Sequence, residues 1–185
     1  LLQDNAFDVA IGNIPFGKIQ LPHSDGKSYK IHDYFLRKSL DKLREGGIMA
    51  VVTSAFTMDK QDSSMREMLA DQADLVAAFR LPNQAFAGQG TEVLTDILFL
   101  QKRSPEQEPN SPNWFNTAKV ELREGGQLTL SEEGISINEY FLEHPEHILG
   151  DNLAIEKKMY NRDCLQVKLE DPASLSDRLN EGIKN

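Results

Sequence analysis

Cysteine is almost missing. Cys164 is the only one in 185 residues, so neither an intrachain disulfide nor a cysteine-built zinc cluster is open to the chain. Long apolar runs are missing too: nothing approaches the roughly 20 apolar residues of a bilayer-spanning helix, and the apolar start breaks at Gln3, Asp4 and Asn5. These gaps argue against a secreted disulfide scaffold and against a membrane span, and they make a cytoplasmic setting the expectation. An initiator methionine is lacking as well. Leu1 stands just ahead of a strand-like segment, which reads as a piece of a longer protein. Internal repeats and low-complexity tracts are absent, and the length suits one ordinary domain with or without a small appendage.

Positive charge is short overall, with a net of -9. An even spread of that charge would oppose nucleic-acid binding, because affinity for a polyanion rests on neutralised phosphates. The spread is uneven. Residues 1–103 carry 12 Lys and Arg against 13 Asp and Glu, a net of -1, which leaves 8 against 16, a net of -8, for residues 104–185. The acidity belongs to the second part and leaves room for a DNA-facing surface on the first.

The pattern along the first part alternates strand and helix. Phe7 to Ile11 reads as a strand ending at Gly12, and Gly12 to Lys30 as a long loop. From Ile31 the apolar positions Leu36, Leu40 and Leu43 recur at helical spacing, with Gly46-Gly47 as the expected left-handed cap. Ile48 to Thr53 is a continuous apolar run, the mark of a strand covered on both faces. A helix near Asp62 to Asp71 and strands at Leu75 to Phe79 and Asp96 to Gln101 complete a doubly wound α/β pattern. Ser104 to Asn113 holds three prolines and no apolar residue, which marks an exposed linker or loop. Beyond it, Trp114 to Leu122 and Gln127 to Leu130 flank Gly125-Gly126 as a hairpin. Ile137 to Leu142 reads as a helix, Leu165 to Leu169 as a strand, and a last helix follows Pro172.

Asn13, Ile14, Pro15 and Phe16 stand directly after the first strand, at the carboxyl edge where α/β sheets place ligands. A polar residue, any residue, proline and an aromatic form a weak pattern alone, so the context carries it. That context is Phe7-Asp8-Val9-Ala10-Ile11-Gly12 before the tetrapeptide, then Gly46-Gly47-Ile48-Met49-Ala50-Val51-Val52-Thr53 and Thr95-Asp96-Ile97-Leu98-Phe99-Leu100-Gln101-Lys102. Together these resemble the adenine-specific (N6) DNA methyltransferase family over roughly residues 5–103, with Ile14 where the family pattern has proline. Within that family the chain is similar to the methylase domains of large helicase-methylase proteins of bacterial plasmids and phages, and Asn138-Glu139-Tyr140-Phe141-Leu142-Glu143-His144-Pro145 adds to the likeness.

The resemblance implies a fold, a site and partners. The fold is α/β, a partial Rossmann-like methyltransferase sheet with a small α+β C-terminal extension. Residues 1–103 would be the C-terminal half of the catalytic domain, 104–113 a linker or loop, and 114–185 an acidic extension. The implied partners are DNA and a helicase region in the same parent polypeptide, and the implied methyl donor is S-adenosylmethionine. The implied catalytic residues are Asn13, Ile14, Pro15 and Phe16. Their chemistry follows from the acceptor: the exocyclic amine of adenine is a poor nucleophile because its lone pair is delocalised into the ring. The Asn13 side-chain oxygen and the Ile14 carbonyl would accept its two hydrogens and localise that lone pair. Pro15 would aim the carbonyl, and Phe16 would stack on a base flipped out of the duplex, an interaction worth about 1 to 3 kcal/mol per base. Ile14 in place of proline leaves the loop less rigid.

The remaining signals are weaker. No glycine-rich donor-binding turn precedes Asn13, and Gly88-Gln89-Gly90 has no strand-to-helix turn around it, so the cofactor-binding residues are unassigned and the fragment is expected to be inactive alone. Lys18, Lys27 and Lys30, with His23 less so, are candidates for phosphate contacts, and Asp96 for lining the base pocket. No metal site is expected: Pro145 interrupts the helix that His144 and His147 would need, and His23 has no partner at ligand spacing. Phe86 and Trp114 read as packing residues. Two other functions stay open, a methyltransferase acting on a protein glutamine amide and a non-catalytic binding module with an acidic face.

Overall fold

The computed structural model describes residues 2–15, 17, 19–89, 93–111, 113–157 and 163–184. Its central feature is a four-stranded sheet made from β1 (Phe7–Asn13), β4 (Leu43–Ser54), β5 (Ala73–Leu81) and β6 (Thr95–Lys102), in the order β1-β4-β6-β5. The last of these in the chain therefore inserts between β4 and β5. β1 and β4 run parallel, with Val9 opposite Ile48 and Asn13 opposite Val52, as expected of strands joined by a crossover helix. That helix is α1 (Ile31–Lys42). It buries Leu36 and Leu40, and it carries Asp33 in its first turn and Lys42 in its last, each on the favourable side of the helix dipole.

The end of α1 differs from the sequence expectation. Gly46 and Gly47 do not cap it; the helix stops at Lys42, and both glycines lie inside β4. The β1–β4 register slips between Phe7 and Val9 as Arg44 to Gly47 bulge from the ladder. Gly46 takes φ +75°, and a Cβ on Gly47 would sit 2.9 Å from the Arg44 carbonyl oxygen. The last carbonyls of α1 are served from elsewhere: Lys102 Nζ donates to Leu40 O and Leu43 O at 2.9 and 2.8 Å.

The 12–30 loop is also more ordered than its sequence suggests. It contains a small hairpin of β2 (Gln20–Pro22) and β3 (Ser28–Lys30), turning at Gly26 with φ +80°. The helix expected near 62–71 is α3 (Ser64–Ala70), while the one-turn α2 (Phe56–Asp59) was not read from the sequence.

Two compact units divide the chain, and both are drawn from three stretches. The first comprises Leu1–Thr53, Ser64–Ala77 and Ile97–Trp114; the second comprises Ser54–Ser63, Ala78–Asp96 and Phe115–Asn185. The first unit's core holds Leu36, Leu40, Leu43, Met49, Leu69, Leu98 and Leu100, each at most 1% exposed. Full burial of such side chains stabilises by about 1.5 to 3 kcal/mol each. Residues 105–110 are exposed, as expected of the proline-rich stretch, yet its end is pinned: Ser111 Oγ accepts the Leu75 N–H at 2.8 Å, and Asp74 Oδ1 accepts the Asn110 N–H at 2.9 Å.

In the second unit, β7 (Thr117–Arg123) pairs with β8 (Gln127–Leu130) and β9 (Ile135–Asn138), and β10 (Asn152–Lys157) pairs with β11 (Asp163–Lys168). The helix expected over 137–142 is corrected here. Ile137 and Asn138 end β9, and only α4 (Tyr140–Glu143) is helical, because Ile135 and Ile137 alternate into the core with strand period. The chain closes with α5 (Leu175–Lys184). No helix among the described residues is long and apolar enough to cross a membrane.

Candidate functional site

The tetrapeptide begins where β1 ends. Asn13 is the last residue of β1, opposite Val52 near the carboxyl end of β4, so it sits at the carboxyl edge of two adjacent parallel strands. Its side chain is exposed and takes no partner among the described residues, which leaves the carboxamide oxygen available as an acceptor. Ile14 points its side chain inward, 5% exposed, and donates its backbone N–H to Val52 O at 2.8 Å. Proline at this position could not make that bond. The bond ties the turn to β4. Pro15 is exposed, while Phe16 and Lys18 lie outside the described residues.

A 650 Å³ cavity runs along this edge, lined by Phe7, Val9, Ile11 and the Gly12 to Pro15 turn on one side and by Phe35, Lys38 and Lys42 of α1 on the other. Lys42 is committed to Asp4 at 2.5 Å. Lys38, which also lines the cavity, has no ion-pair partner among the described residues; the sequence showed it only as part of a polar helix face. Lys27 and Lys30 are exposed on the β2–β3 hairpin and do not line the cavity. His23 is buried instead of exposed. Its Nε2 lies 2.9 Å from Asp41 Oδ2, and its ring packs edge-on against Tyr29 and Tyr34. Beside it, the Tyr29 hydroxyl donates to Asp25 at 2.6 Å and holds that carboxyl down at about 2.

Asp96 lies in the second unit and is fully buried. Its two oxygens accept from Arg80 Nε and Nη2, both at 2.9 Å, so the structure makes it the counter-ion of a buried guanidinium. Arg80 also reaches Asp59 at 2.9 Å and lies over the Phe141 ring, 4.2 Å from its centroid. Asp59 Oδ1 accepts the Asn138 N–H at 2.9 Å, and the Asn138 side chain donates to Met58 O. Burial works against the charge on Arg80, but Asp59 and Asp96 outweigh it and raise its pKa; burial pushes Asp96 up to about 6 against the pull of Arg80. This network was not read from the sequence. Its signal was there, in Arg80 flanked by the apolar Ala77-Ala78-Phe79 and Leu81, and in Asp96 just before the apolar run Ile97 to Leu100, which burial forces to pair. Gly88 and Gln89 belong to a 3-10 segment (Asn83–Gln89) between β5 and β6, and Gly90 lies outside the described residues. Trp114 is buried and Phe86 half-buried, as packing residues would be.

Against this geometry, the model of the N-6 DNA methylase family matches residues 2–148. The chain belongs to that family. The match runs past the 104–113 stretch and takes in β9 and α4, so the family extends beyond the 5–103 region that carries the recognisable motifs. Among curated relatives, this methylase chain is 28% identical over 114 residues to the defense against restriction protein B of Escherichia phage P1, covering 59% of the chain and 5% of the phage protein. Solved structures with partial likeness include the M protein of the type I restriction enzyme EcoKI (15% identity, TM-score 0.48, 97% of this chain and 48% of that one). Another is a candidate class I S-adenosylmethionine-dependent methyltransferase from Listeria monocytogenes (19% identity, TM-score 0.47, 59% and 35%). The chain thus spans a twentieth of the phage relative and less than half of either solved structure.

Proposed function

We propose that this chain is the acceptor-side part of an adenine-specific DNA methyltransferase and that methyl transfer takes place at Asn13 to Phe16. One observation carries the reading: in a member of the N-6 DNA methylase family, Asn13 is exposed and unpartnered among the described residues at the carboxyl end of β1, with Ile14 fixed beside it through Val52. The Asn13 oxygen and the Ile14 carbonyl accept the two hydrogens of the adenine amine, hold its nitrogen lone pair out of the ring and offset the positive charge that grows on it. Pro15 fixes the turn and Phe16 stacks on the flipped base. Lys38, with Lys18, Lys27 and Lys30, meets phosphates.

S-adenosylmethionine is the donor we assign to the parent protein, and on this reading its pocket is supplied by parts of the parent other than this chain. Among the described residues, the Gly88-Gln89 stretch follows β5 as part of a 3-10 segment, and the next element is β6; an anchor for the donor at a helix N-terminus would therefore come from elsewhere on this reading. β1 meanwhile offers an open edge, with Ile11 81% and Val9 51% exposed, on which further strands of the sheet would pair. On this reading residues 1–103 are the acceptor half, 104–113 the connection and 114–185 an acidic extension. The chain alone is then inactive, and the parent, in which a helicase region accompanies it, is active.

The test is transfer of radiolabelled methyl from S-adenosylmethionine to unmethylated plasmid DNA by the longer parent protein, its Asn13→Ala variant and this chain. Label in adenine with the parent, and a loss of about 100-fold or more with Asn13→Ala, is the expected result. A folded, donor-binding parent that labels no DNA overturns the reading; label entering a protein glutamine amide instead would establish the related amide chemistry.

A further inference from the structure

Three metal-binding side chains that the methylase reading does not use converge in the second unit. His144 follows α4, and His147 ends the 3-10 turn Pro145–His147 with Glu146 between them. Pro145 does rule out a shared α-helical face, as the sequence suggested, but it opens a tighter turn in which residues three apart stack over one another. The two imidazoles lie 5.3 Å apart and 17° from parallel. His144 Nδ1 is 3.2 Å and His147 Nε2 3.9 Å from the same oxygen of Glu146, and the ligand atoms of all three residues fall within 4.8 Å of one another. Donors held about 2.1 Å from a tetrahedral ion stand about 3.4 Å apart. The two gaps to Glu146 bracket that spacing, and rotation of the stacked imidazoles out of parallel would bring both ring nitrogens to bear on an ion between them.

The surroundings favour ligation by His147 in particular. Its Nδ1 lies 2.7 Å from the Tyr140 hydroxyl oxygen, which also accepts the Ala78 N–H at 3.1 Å, and its ring packs 4.5 Å from that of Phe79. When Nδ1 donates its proton to Tyr140, the Nε2 lone pair is left facing Glu146, which is the outer-shell support that metal-ligating histidines use. The His147 side chain is 14% exposed and that of Glu146 63%, so the cluster is anchored on one side and open to solvent on the other.

We propose that His144 Nδ1, a Glu146 carboxylate oxygen and His147 Nε2 form a three-donor site for a divalent transition metal such as Zn²⁺ or Co²⁺, with water completing the shell. Two imidazoles and one carboxylate suit these ions and not Mg²⁺ or Ca²⁺, which require mostly oxygen donors. The turn is tied to β5, since Leu149 N–H donates to Arg80 O at 2.8 Å, and a bound ion would clamp it there.

Titration of the untagged full chain with Co²⁺, followed by visible d–d absorption, tests the site. The expected result is one ion per chain, displaced by Zn²⁺ and not by Mg²⁺. His144→Ala and Glu146→Gln change side chains at the open side and leave the fold intact by circular dichroism, and each should weaken binding by about tenfold or more. Tyr140→Phe, which removes only the outer-shell hydroxyl, should weaken it by about tenfold. Absence of the band, or affinities in His144→Ala and Glu146→Gln equal to the wild type, overturns the proposal, the second outcome placing the ion elsewhere.

Discussion

The two edges of the four-stranded sheet are finished in opposite ways. β1 presents Val9 and Ile11 to solvent, 51% and 81% exposed, with an apolar trough beside them. β5 is occupied along its length. In the first unit Ser111 accepts the Leu75 N–H, and in the second Tyr140 accepts the Ala78 N–H while Leu149 donates to Arg80. An open apolar edge is a template for another strand, and proteins that do not use such an edge blunt it with charge, proline or a cover. Here the chain's protective contacts are concentrated on β5, and β1 carries no guard beyond Asp8. The contrast separates an edge that serves stability from one that, on the proposed reading, would take up further strands.

Four measurements break or sharpen that contrast. The largest effect belongs at the covered edge: Arg80→Met leaves Asp96 and Asp59 without their shared cation and should destabilise the chain by about 3 to 5 kcal/mol in urea unfolding. A loss below about 1 kcal/mol would mean that the network is incidental. Next, burial raises Asp96 to about 6 in the folded state, above its ordinary value of 3.8. Such a group contributes stability that is complete below the unfolded value and is lost as pH rises through the folded one. Asp96→Asn does not titrate, so its deficit against the wild type should widen by about 1 to 3 kcal/mol as pH falls through that window. A deficit independent of pH contradicts the raised carboxyl. Third, Tyr140→Phe strands the Ala78 N–H and should cost about 1 kcal/mol, read by the same unfolding midpoint. The smallest effect belongs to the bare edge: Ile11→Lys should change stability by less than about 0.5 kcal/mol, as exposed substitutions do. It should nonetheless impair methyl transfer by the parent protein; a large loss of stability in the isolated chain would show that Ile11 is already part of a core.

The parts legible in the sequence are those governed by local periodicity. β1, α1, the apolar heart of β4, β6 and the closing helix follow from spacing and turn residues. The Asn13 turn was placed correctly at a strand end because the chain must reverse after β1, and proline marks where. Less could be read where distant residues decide the outcome. The Gly46-Gly47 pair has the look of a helix cap, yet Leu43 is drawn into the core and the strand begins early, so the glycines end up in a bulge. His23 has the composition of an exposed loop residue, but Asp41, 18 positions on, draws it inside. Ile14 reads as a departure from the family pattern; only the pairing with Val52 shows that its N–H has a use. The convergence of Asp59, Arg80, Asp96 and Asn138 depends on tertiary placement, and no window of sequence contains it.

The interleaving of the two units bears on how the chain is made. Residues 54–63 leave the ribosome before the first unit has its third stretch, and that stretch, 97–114, arrives only after most of the second unit's middle. Neither unit can be completed while the other is still unbegun, and β6 must slot between two strands already synthesised. Vectorial synthesis therefore leaves β4 without the neighbour it will have on that side until β6 emerges, and it completes the first unit at Trp114 while the Phe115–Asn185 stretch of the second is still to come. In the interval before β6 arrives, β4 and β5 lack the strand that will lie between them, and a chaperone's attention falls there.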